Sequence, residues 1–335
     1  MKIAITGGAG FLGRRLAERL LLRGTLAGTD NRQHEIETLT LFDAVPPSPP
    51  LAADKRLRFV AGDIADRAAV RSAIGPGTAT VFHFAAVVSA EAEADTDKGL
   101  RVNLDGTRAV LEACRALGTA PRVVSASSLA VYGGVLPPAV DDDTPLRPQT
   151  SYGAAKAMGE LLVNDWSRKG YIDGRALRFP TIVVRPGRPN RAASTWASSI
   201  FREPLAGAET VCPVSRGTVM AILSPRRALA AIEQLHDLPA ERLGDDRSLL
   251  LPSISVTVEE MLAALERAGG ARCLARIAWR PDPAVQTIVD GWPRALDAAR
   301  ARALGIMPDA DIDAIVAAFI QDDLAAQHDL VRAGA

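Results

Sequence analysis

The first hydrophobic pattern in the chain predicts a strand followed by a helix. Residues 2–6 form a short apolar run, and leucines then recur at helical spacing: Leu12, Leu16, Leu20 and Leu21. Three glycines lie around the turn between them: Gly7, Gly10 and Gly13. The first permits a tight turn, the second a close approach of backbone to a pyrophosphate, and the third close packing of helix on strand. The pattern therefore predicts a dinucleotide-binding unit, with the phosphates at the helix N-terminus beside Phe11 and Leu12.

Strands and helices continue to alternate through the first half of the chain. Three apolar runs predict strands and two periodic segments predict helices: 57–61, 80–86 and 122–126, and 65–74 and 100–117. This alternation is typical of an α/β fold, a Rossmann-type doubly wound parallel sheet. It breaks near residue 179 into loops rich in arginine and proline. We therefore expect a dinucleotide-binding domain over residues 1–178 and a smaller C-terminal substrate lobe over 179–335, with some segments returning to the sheet.

The acidic residue that ends the second strand decides which dinucleotide is expected. Asp30 lies at the usual distance, but its strand would be residues 25–29, which contain a glycine, run into a polar segment and look like a loop. Asp43 follows residues 37–42, which are richer in strand formers. We therefore choose Asp43 and treat residues 24–36 as an insertion. A carboxylate there bonds the adenosine ribose and repels a 2′-phosphate, so the predicted cofactor is NAD.

Three further residues are expected beside the cofactor, near the ends of later strands. Asp63 either meets the adenine edge or caps the helix that follows, and the sequence leaves both roles open. Ile64 follows it directly. Ala85 lies among small residues at a strand end, where backbone can pass close to a ligand. His83, in the same strand, is predicted to be a packed residue and not a catalyst.

A serine, a tyrosine and a lysine carry the predicted chemistry. Ser128 follows the fifth strand, at the edge where an open α/β sheet places ligand groups. Tyr152 and Lys156 lie four residues apart on one helical face, so the ammonium lowers the pKa of the phenol from its usual value of about 10. Tyr152 would then act as a general base while Ser128 holds the substrate oxygen. The same spacing also occurs by chance, with a packed tyrosine and a solvated lysine.

Composition narrows the expected partners. The chain has 335 residues, 48% of them hydrophobic, and its 39 basic residues equal its 39 acidic ones. This balance offers no general attraction to nucleic acid or anionic membrane, so a small bound ligand is expected. The three cysteines and four histidines lack redox-motif or ligand spacing, which predicts reduced thiols, no metal and a cytoplasmic location. The chain opens directly on a strand, and no apolar run reaches membrane-spanning length.

Several motifs between residue 1 and about residue 185 resemble the extended short-chain dehydrogenase/reductase family. They are Thr6–Gly13, Gly62-Asp63, His83–Ala86, Asn103, Ser128 with residues 131–133, and Tyr152 with Lys156. The resemblance implies a Rossmann-type fold, a bound nicotinamide cofactor and catalytic Ser128, Tyr152 and Lys156, with Asn103 helping to position the lysine. It also implies a homodimer built from helices of the cofactor domain.

The second half departs from the nucleotide-sugar enzymes of that family. Those usually carry asparagine and then a Tyr-Gly-Pro turn, where this chain has Pro180-Thr181 and Arg185-Pro186-Gly187. The chain is more similar to a branch that oxidises small sugar acids, which implies a sugar-acid substrate close to Thr181 and Arg185. Six arginines are candidates to hold its carboxylate: Arg185, Arg188, Arg191, Arg216, Arg226 and Arg227. Two alternatives stay open, namely a nucleotide-sugar epimerase or dehydratase and a redox sensor that binds dinucleotide without catalysis.

Overall fold

The computed structural model describes residues 1–189 and 193–334. The chain forms two compact units. The first consists of Met1–Val131, Thr150–Arg178 and Leu229–Leu249, and the second of Tyr132–Gln149, Phe179–Ala228 and Leu250–Ala335. Residues 132–149 thus group with the second unit, although they precede residue 178, and residues 229–249 group with the first.

The strands of the described residues are numbered in chain order. They are β1 (Lys2–Thr6), β2 (Thr25–Ala27), β3 (Gln33–Glu35), β4 (Thr38–Asp43), β5 (Leu57–Ala61), β6 (Thr78–His83), β7 (Arg122–Ser128), β8 (Val140–Asp141), β9 (Asp173–Phe179), β10 (Thr181–Ile182), β11 (Thr210–Cys212), β12 (Val219–Leu223), β13 (Ser248–Leu250), β14 (Ile254–Thr257), β15 (Ile277–Trp279) and β16 (Leu296–Asp297).

The helices are numbered in the same way. They are α1 (Phe11–Arg23), α2 (Arg67–Ala73), α3 (Ser89–Ala94), α4 (Thr96–Leu100), α5 (Gly106–Ala116), α6 (Ser151–Arg168), α7 (Thr195–Leu205), α8 (Pro225–Asp237), α9 (Val258–Gly269), α10 (Ala271–Leu274), α11 (Pro283–Asp290), α12 (Ala299–Ala303), α13 (Ile312–Asp322) and α14 (Leu324–Gly334). A π-helical turn spans Arg101–Asp105, and short 3-10 helices span Leu129–Val131 and Ala240–Arg242.

The central sheet has seven strands in the order β13-β9-β7-β6-β1-β4-β5. The strand pairs from β7 through to β5 are parallel. Chain order runs outward in both directions from β1, so the reversal of strand order falls between β1 and β6. Ligands of doubly wound sheets bind at the carboxyl ends of the strands at such a point. The predicted Rossmann-type α/β fold is confirmed.

The second strand of the sheet ends at Asp43, as predicted. Strand β4 pairs with β1 in register from Lys2 opposite Thr38 to Thr6 opposite Phe42. Residues 25–29, expected to be a loop, contribute a short strand instead. They pair in an antiparallel hairpin of β2 and β3, separate from the central sheet. The inserted segment therefore satisfies its own backbone groups before the chain enters β4.

Helix ends in the first unit are set by local capping. Helix α2 begins at Arg67 and not at Ala65, because the Asp66 carboxylate accepts the backbone N–H groups of Ala68 and Ala69. The helix expected from residue 100 is interrupted by the π-helical turn before α5. Helix α1 begins at Phe11 as expected and is closed by Gly24, whose φ of +74° is typical of a C-terminal glycine.

The core of the first unit packs strand side chains against two helices. Ala4, Val81 and Val123 from the sheet and Val70 and Val110 from α2 and α5 are all inaccessible to solvent. Each fully buried valine contributes about 1.5–3 kcal/mol of transfer free energy. This packing holds the carboxyl ends of β1, β6 and β7 in fixed relation.

The second unit has its own sheet and core. Strand β12 pairs with β10 in parallel and with β14 in antiparallel orientation. Its apolar cluster includes Phe201 of α7, Met261 of α9 and Phe319 of α13, all buried. Thr257 and Glu260 form a reciprocal capping box that starts α9. No helix of the described residues in either unit is long and apolar enough to cross a membrane.

Candidate active site

The turn between β1 and α1 is shaped for close approach of backbone. Gly7 has a φ of +69°, and a Cβ there would lie 2.6 Å from the Ala85 nitrogen. A Cβ at Gly13 would overlap the Gly7 carbonyl oxygen. Helix α1 has Gly10 as its N-cap, so no side chain among the described residues caps its first N–H groups. A cradle without side chains at an uncapped helix N-terminus fits a dinucleotide pyrophosphate.

Asp43 lies beside this turn, and Asp30 does not. The Asp43 Oδ2 accepts the backbone N–H of Ala9 at 3.0 Å. Asp30 lies in the hairpin that leads into the amino end of β4, where it contacts His34 at 2.9 Å. The six residues of β4 separate the two carboxylates, and such a strand is about 20 Å long. Of the two carboxylates, Asp43 is therefore the one beside the glycine turn, and its contact with a ribose stays a prediction.

Asp63 makes an ion pair at the end of β5. Its Oδ2 accepts an Nη1 hydrogen of Arg101 at 2.5 Å, and its Oδ1 accepts the Ala65 N–H at 3.0 Å. The pairing with Arg101 lowers the pKa of the Asp63 carboxyl. The alternative in which Asp63 caps α2 is wrong, because Asp66 performs that role. Ile64 is buried, and a Cβ at Gly106 would lie 2.9 Å from its Cγ2.

His83 is a buried structural residue in a chain of hydrogen bonds. Burial, with a smaller contribution from the charge of Lys156, lowers the pKa of His83 to about 3, so the ring is neutral. The Thr107 hydroxyl donates to the Asn103 carbonyl oxygen at 2.7 Å, so it accepts from the His83 Nε2–H at 3.0 Å. The Nδ1 therefore accepts the Thr6 hydroxyl at 2.7 Å. This tautomer, assigned from the bonding pattern, connects the ends of β1 and β6 to the helical segment behind them.

Asn103 lies in the π-helical turn, and its side chain binds backbone. The Oδ1 accepts the Val87 N–H at 2.9 Å, and the Nδ2 donates to the Val87 carbonyl at 3.2 Å. Asn103 is almost fully buried. It thus holds the segment that follows β6, while its predicted effect on Lys156 stays a prediction. Unusual π-helical turns are frequent at functional sites.

Ser128, Tyr152 and Lys156 belong to two elements of the first unit that pack together. Ser128 is the last residue of β7, and its Oγ accepts the Ala130 N–H at 3.2 Å. Tyr152 is the second residue of α6, which Thr150 caps by accepting the Gly153 N–H. The Lys156 Nζ lies 5.6 Å from the centroid of the Tyr152 ring. The structure thus places the helical pair against the strand that ends in Ser128.

Lys156 is buried, and its ammonium donates to the carbonyl oxygen of Ala126 at 2.8 Å. Burial lowers the pKa of Lys156 to about 8, and the nearby charge of Glu160 opposes that shift. In general, a cation beside a phenol favours the phenolate over the neutral form. Such a pair is typical of a general base near neutral pH, and this role of Tyr152 stays a prediction.

Three buried neighbours of the candidate site were missed from the sequence. Glu160 lies one helical turn beyond Lys156, where its carboxylate binds Ser127 of β7 and Arg178 of β9. The signal for Glu160 was available, because it continues the spacing of four that joins Tyr152 and Lys156. No local signal identified its two partners, since they are distant in sequence.

The predicted substrate residues Thr181 and Arg185 lie in the second unit. Thr181 is half-buried in β10. Both backbone groups of Arg185 are held by α7, since its N–H donates to Ser198 Oγ at 3.1 Å and its carbonyl accepts from Arg202 at 2.8 Å. Their contact with substrate stays a prediction.

The other candidate arginines differ from Arg185 in their surroundings. Arg216 pairs with Glu259 at 2.8 Å and Arg226 with Asp322 at 2.8 Å. Arg188 and Arg227 are exposed, and Arg191 lies outside the described residues. Within the described ranges, no group of three or more His, Cys, Asp or Glu side chains is arranged to hold a metal ion.

Comparison with known proteins defines the class. The model of the NAD dependent epimerase/dehydratase family matches residues 3–219. The chain therefore belongs to this family, and it is an NAD-dependent oxidoreductase.

Two relatives and one solved structure resemble nearly the whole chain. It is 52% identical over 322 residues to D-erythronate dehydrogenase of Cupriavidus necator, covering 96% of this chain and 98% of that protein. It is 41% identical over 324 residues to D-erythronate dehydrogenase of Haemophilus influenzae, covering 97% of this chain and all of that protein. The crystal structure of the nucleoside-diphosphate-sugar epimerase from Agrobacterium tumefaciens has a TM-score of 0.91 at 39% identity, covering 97% of this chain and 95% of that one.

Proposed function

We propose that this enzyme oxidises D-erythronate to 2-dehydro-D-erythronate, a 2-keto acid. The observation that carries the proposal is the 52% identity to D-erythronate dehydrogenase of Cupriavidus necator over 96% of the chain. That similarity extends through the arginine- and proline-rich loops of the second half. Loops of this kind commonly carry substrate contacts.

The proposed chemistry uses the three side chains around the end of β7. Tyr152, as its phenolate, removes the proton of the substrate hydroxyl, and Lys156 stabilises that phenolate. Ser128 donates its hydroxyl hydrogen to the substrate oxygen and holds it beside Tyr152. NAD, when bound, would supply the acceptor for the hydride of the carbon that bears this hydroxyl, and that carbon would become the carbonyl carbon. Asn103 is proposed to act indirectly, by positioning Lys156.

The proposed binding residues fall into a cofactor set and a substrate set. The cofactor is proposed to contact Gly7, Gly10, Phe11, Leu12, Gly13, Asp43, Asp63, Ile64, Ala85, Tyr152 and Lys156. The sugar acid is proposed to contact Ser128, Tyr152, Thr181 and Arg185. Arg185 is favoured for the carboxylate because its backbone is held at both polar groups, which reduces the entropy lost on binding.

The test is accumulation of NADH with D-erythronate as the substrate. Tyr152→Phe should retain its NAD dissociation constant and lose most turnover, because the ring stays and the base is removed. A variant with near-normal turnover would show that Tyr152 is not the base. Failure of the parent enzyme to form NADH from D-erythronate would reject the substrate.

A second candidate is epimerisation or dehydration of a nucleotide-sugar. The observation that favours it is the similarity to the solved nucleoside-diphosphate-sugar epimerase, at 39% identity. In that reaction the cofactor is reduced and reoxidised in place, so NADH does not accumulate. Conversion of a UDP- or dTDP-sugar without net NADH would support it over the dehydrogenase. Cofactor binding without turnover of any of these compounds would favour the third candidate, a redox sensor that binds dinucleotide without catalysis.

We also propose a cytoplasmic homodimer. The three cysteines are free thiols, which suits a reducing compartment. Helix α6 exposes two apolar side chains, Met158 and Leu161, the second of them 64% exposed. Sedimentation should give a dimer that Leu161→Asp dissociates, whereas Leu22→Asp, at an even more exposed leucine of α1, should not. A monomeric parent protein would contradict the proposal.

A further inference from the structure

A buried carboxylate sits one helical turn behind the candidate catalytic lysine. Glu160 is 3% exposed and lies on the same face of α6 as Tyr152 and Lys156. Its two oxygens accept hydrogen bonds from Arg178 of β9, from Nη2 at 2.7 Å and from Nε at 3.0 and 3.1 Å. An isolated charge in such a place would be costly, so this pairing is what allows a carboxylate there.

The same carboxylate also holds the strand that ends in Ser128. The hydroxyl of Ser127, which is 5% exposed, donates to Glu160 Oε1. Lys156 reaches the carbonyl of Ala126, the residue before Ser127, at 2.8 Å. Two consecutive residues of β7 are therefore tied to α6 immediately before Ser128. Supporting hydrogen bonds of this kind, together with packing, hold a site residue in a defined position.

The charge of Glu160 also acts on Lys156. Burial lowers the pKa of that lysine to about 8, and Glu160 is the group that raises it. His83 of β6 is neutral, so it contributes no charge. Helices α3, α4 and α5 and the π-helical turn also pack against α6. Several of their charged groups have other partners: Glu93 with the Ser151 N–H, Lys98 with Glu91, Arg101 with Asp63, Arg108 with Glu112, and Arg115 with the ring of Tyr171. Asp97 and Asp105 are exposed to solvent.

We propose that Glu160 is a positioning residue of this active site, held by Arg178. It fixes Ser128 through Ser127, and it keeps Lys156 protonated so that Tyr152 can ionise. The inference rests on the proposed function, since it assigns Glu160 to the same base. It adds to that function the group that maintains the charge of the lysine.

The test compares tyrosine ionisation in the parent with that in the double variant Glu160→Gln/Arg178→Met. Replacing both charges avoids leaving an unpaired buried arginine, so the double variant should fold. The chain has three tyrosines, and near-ultraviolet absorbance of phenolate against pH follows all of them without substrate. Tyr152→Phe identifies which ionisation belongs to Tyr152. In the double variant that ionisation should move up by about one pH unit, a ten-fold change in the equilibrium.

Kinetic measurements separate the two parts of the role. In the double variant the acid limb of kcat/KM should move to higher pH with the Tyr152 ionisation. Ser127→Ala, which keeps both charges, should lower kcat about ten-fold with no shift of the limb, because only the position of Ser128 is loosened. Asp165→Asn is the matched control, since it removes an exposed carboxylate from the same helix. It should change neither quantity.

Each outcome decides between explanations. A double variant that ionises Tyr152 like the parent would contradict the electrostatic role of Glu160 and leave the base assignment intact. A normal kcat in Ser127→Ala would contradict the positioning of Ser128. If Tyr152 of the parent enzyme does not ionise below the usual tyrosine pKa, both the assignment of Tyr152 as the base and the role of Glu160 in its ionisation would be contradicted. If the pH shifts are as expected but the parent enzyme oxidises a different compound and not D-erythronate, only the choice of substrate would be rejected.

Discussion

At the scale of single residues, the two carboxylates that are candidates to bind the cofactor ribose have different surroundings. Asp43 accepts the Ala9 N–H of the glycine turn, whereas Asp30 is engaged by His34 in a hairpin at the other end of β4. Burial and hydrogen bonding therefore separate two residues that have equal chemistry. The separation comes from the strand register, which pairs Thr6 with Phe42 and so brings the next residue beside the turn.

Exchanging the two carboxylates for alanine tests this assignment. Asp43→Ala should weaken NAD binding by about 1.5–3 kcal/mol, the contribution of a charge-assisted hydrogen bond, and should reduce discrimination against NADP. Asp30→Ala should leave both dissociation constants near those of the parent. Titration of each variant with NAD and NADP measures them. A loss confined to Asp30→Ala would overturn the assignment of the ribose to Asp43.

At the scale of elements, the turn from β1 into α1 depends on the absence of side chains. Gly7 combines a positive φ with a close approach to the backbone of Ala85 at the end of β6. These are two separate restrictions, one on conformation and one on space. Gly118, just after α5, has a φ of +68°, but no atom lies within 4 Å of the position that a Cβ would take, so it carries only the first restriction.

Alanine at the two glycines separates these effects. Gly118→Ala should cost about 1 kcal/mol of unfolding free energy, the penalty of a left-handed conformation. Gly7→Ala should cost more and should also abolish detectable NAD binding, because β1 and β6 must move apart. Urea unfolding and NAD titration measure the two quantities. Equal stability losses with NAD binding retained in both variants would contradict the close-approach role of Gly7.

At the scale of the whole molecule, two buried histidines link stability to pH. His83 and His236 are both neutral, since burial lowers the pKa of the first to about 3 and of the second to about 4. His236 bonds Thr80 at 3.1 Å and Asp237 at 2.9 Å. The ordinary pKa of a histidine is 6.5, so below that pH the unfolded chain binds protons that these histidines do not bind in the folded chain.

The sign of the pH effect follows from these lowered values. The contribution of each neutral histidine to the free energy of unfolding is fully present above pH 6.5. It is lost as the pH falls toward the pKa of that histidine in the folded chain. Stability should therefore drop by about 1.4 kcal/mol per pH unit for each histidine between pH 6.5 and 4. The carboxyl of Asp237, whose pKa is lowered to about 2, adds to the loss only below its ordinary value of 3.8.

Urea unfolding across this pH range measures the slope. His236→Gln removes one titrating group while keeping polar atoms near Thr80. It should therefore reduce the slope of unfolding free energy against pH by about 1.4 kcal/mol per pH unit, the contribution of one proton. A flat profile between pH 6.5 and 4 in the parent would show that these histidines are not neutral when buried.

The local parts of this protein were determined by the sequence itself. The glycine turn of residues 7–13 and the pair Tyr152 and Lys156 depend on spacing along one strand, turn or helix, and such spacing is visible without the fold. The placement of Asp43 was also accessible, because strand propensity and the glycine in residues 25–29 pointed to the same boundary. The prediction of a loop over residues 25–29 was wrong for Thr25–Ala27, since a three-residue hairpin strand is too short to show a period.

Tertiary structure decided the interactions that connect distant segments. Asp66 caps α2 in place of Asp63 because of backbone geometry that propensity alone does not resolve. Asn103 bonds Val87, and Glu160 joins Ser127 to Arg178, only because parallel strands and their crossover helices bring these segments together. A buried charge has no periodic signature, since its energy depends on which partner the fold delivers. The sequence therefore determined the candidate catalytic residues, and the fold determined the residues that hold them.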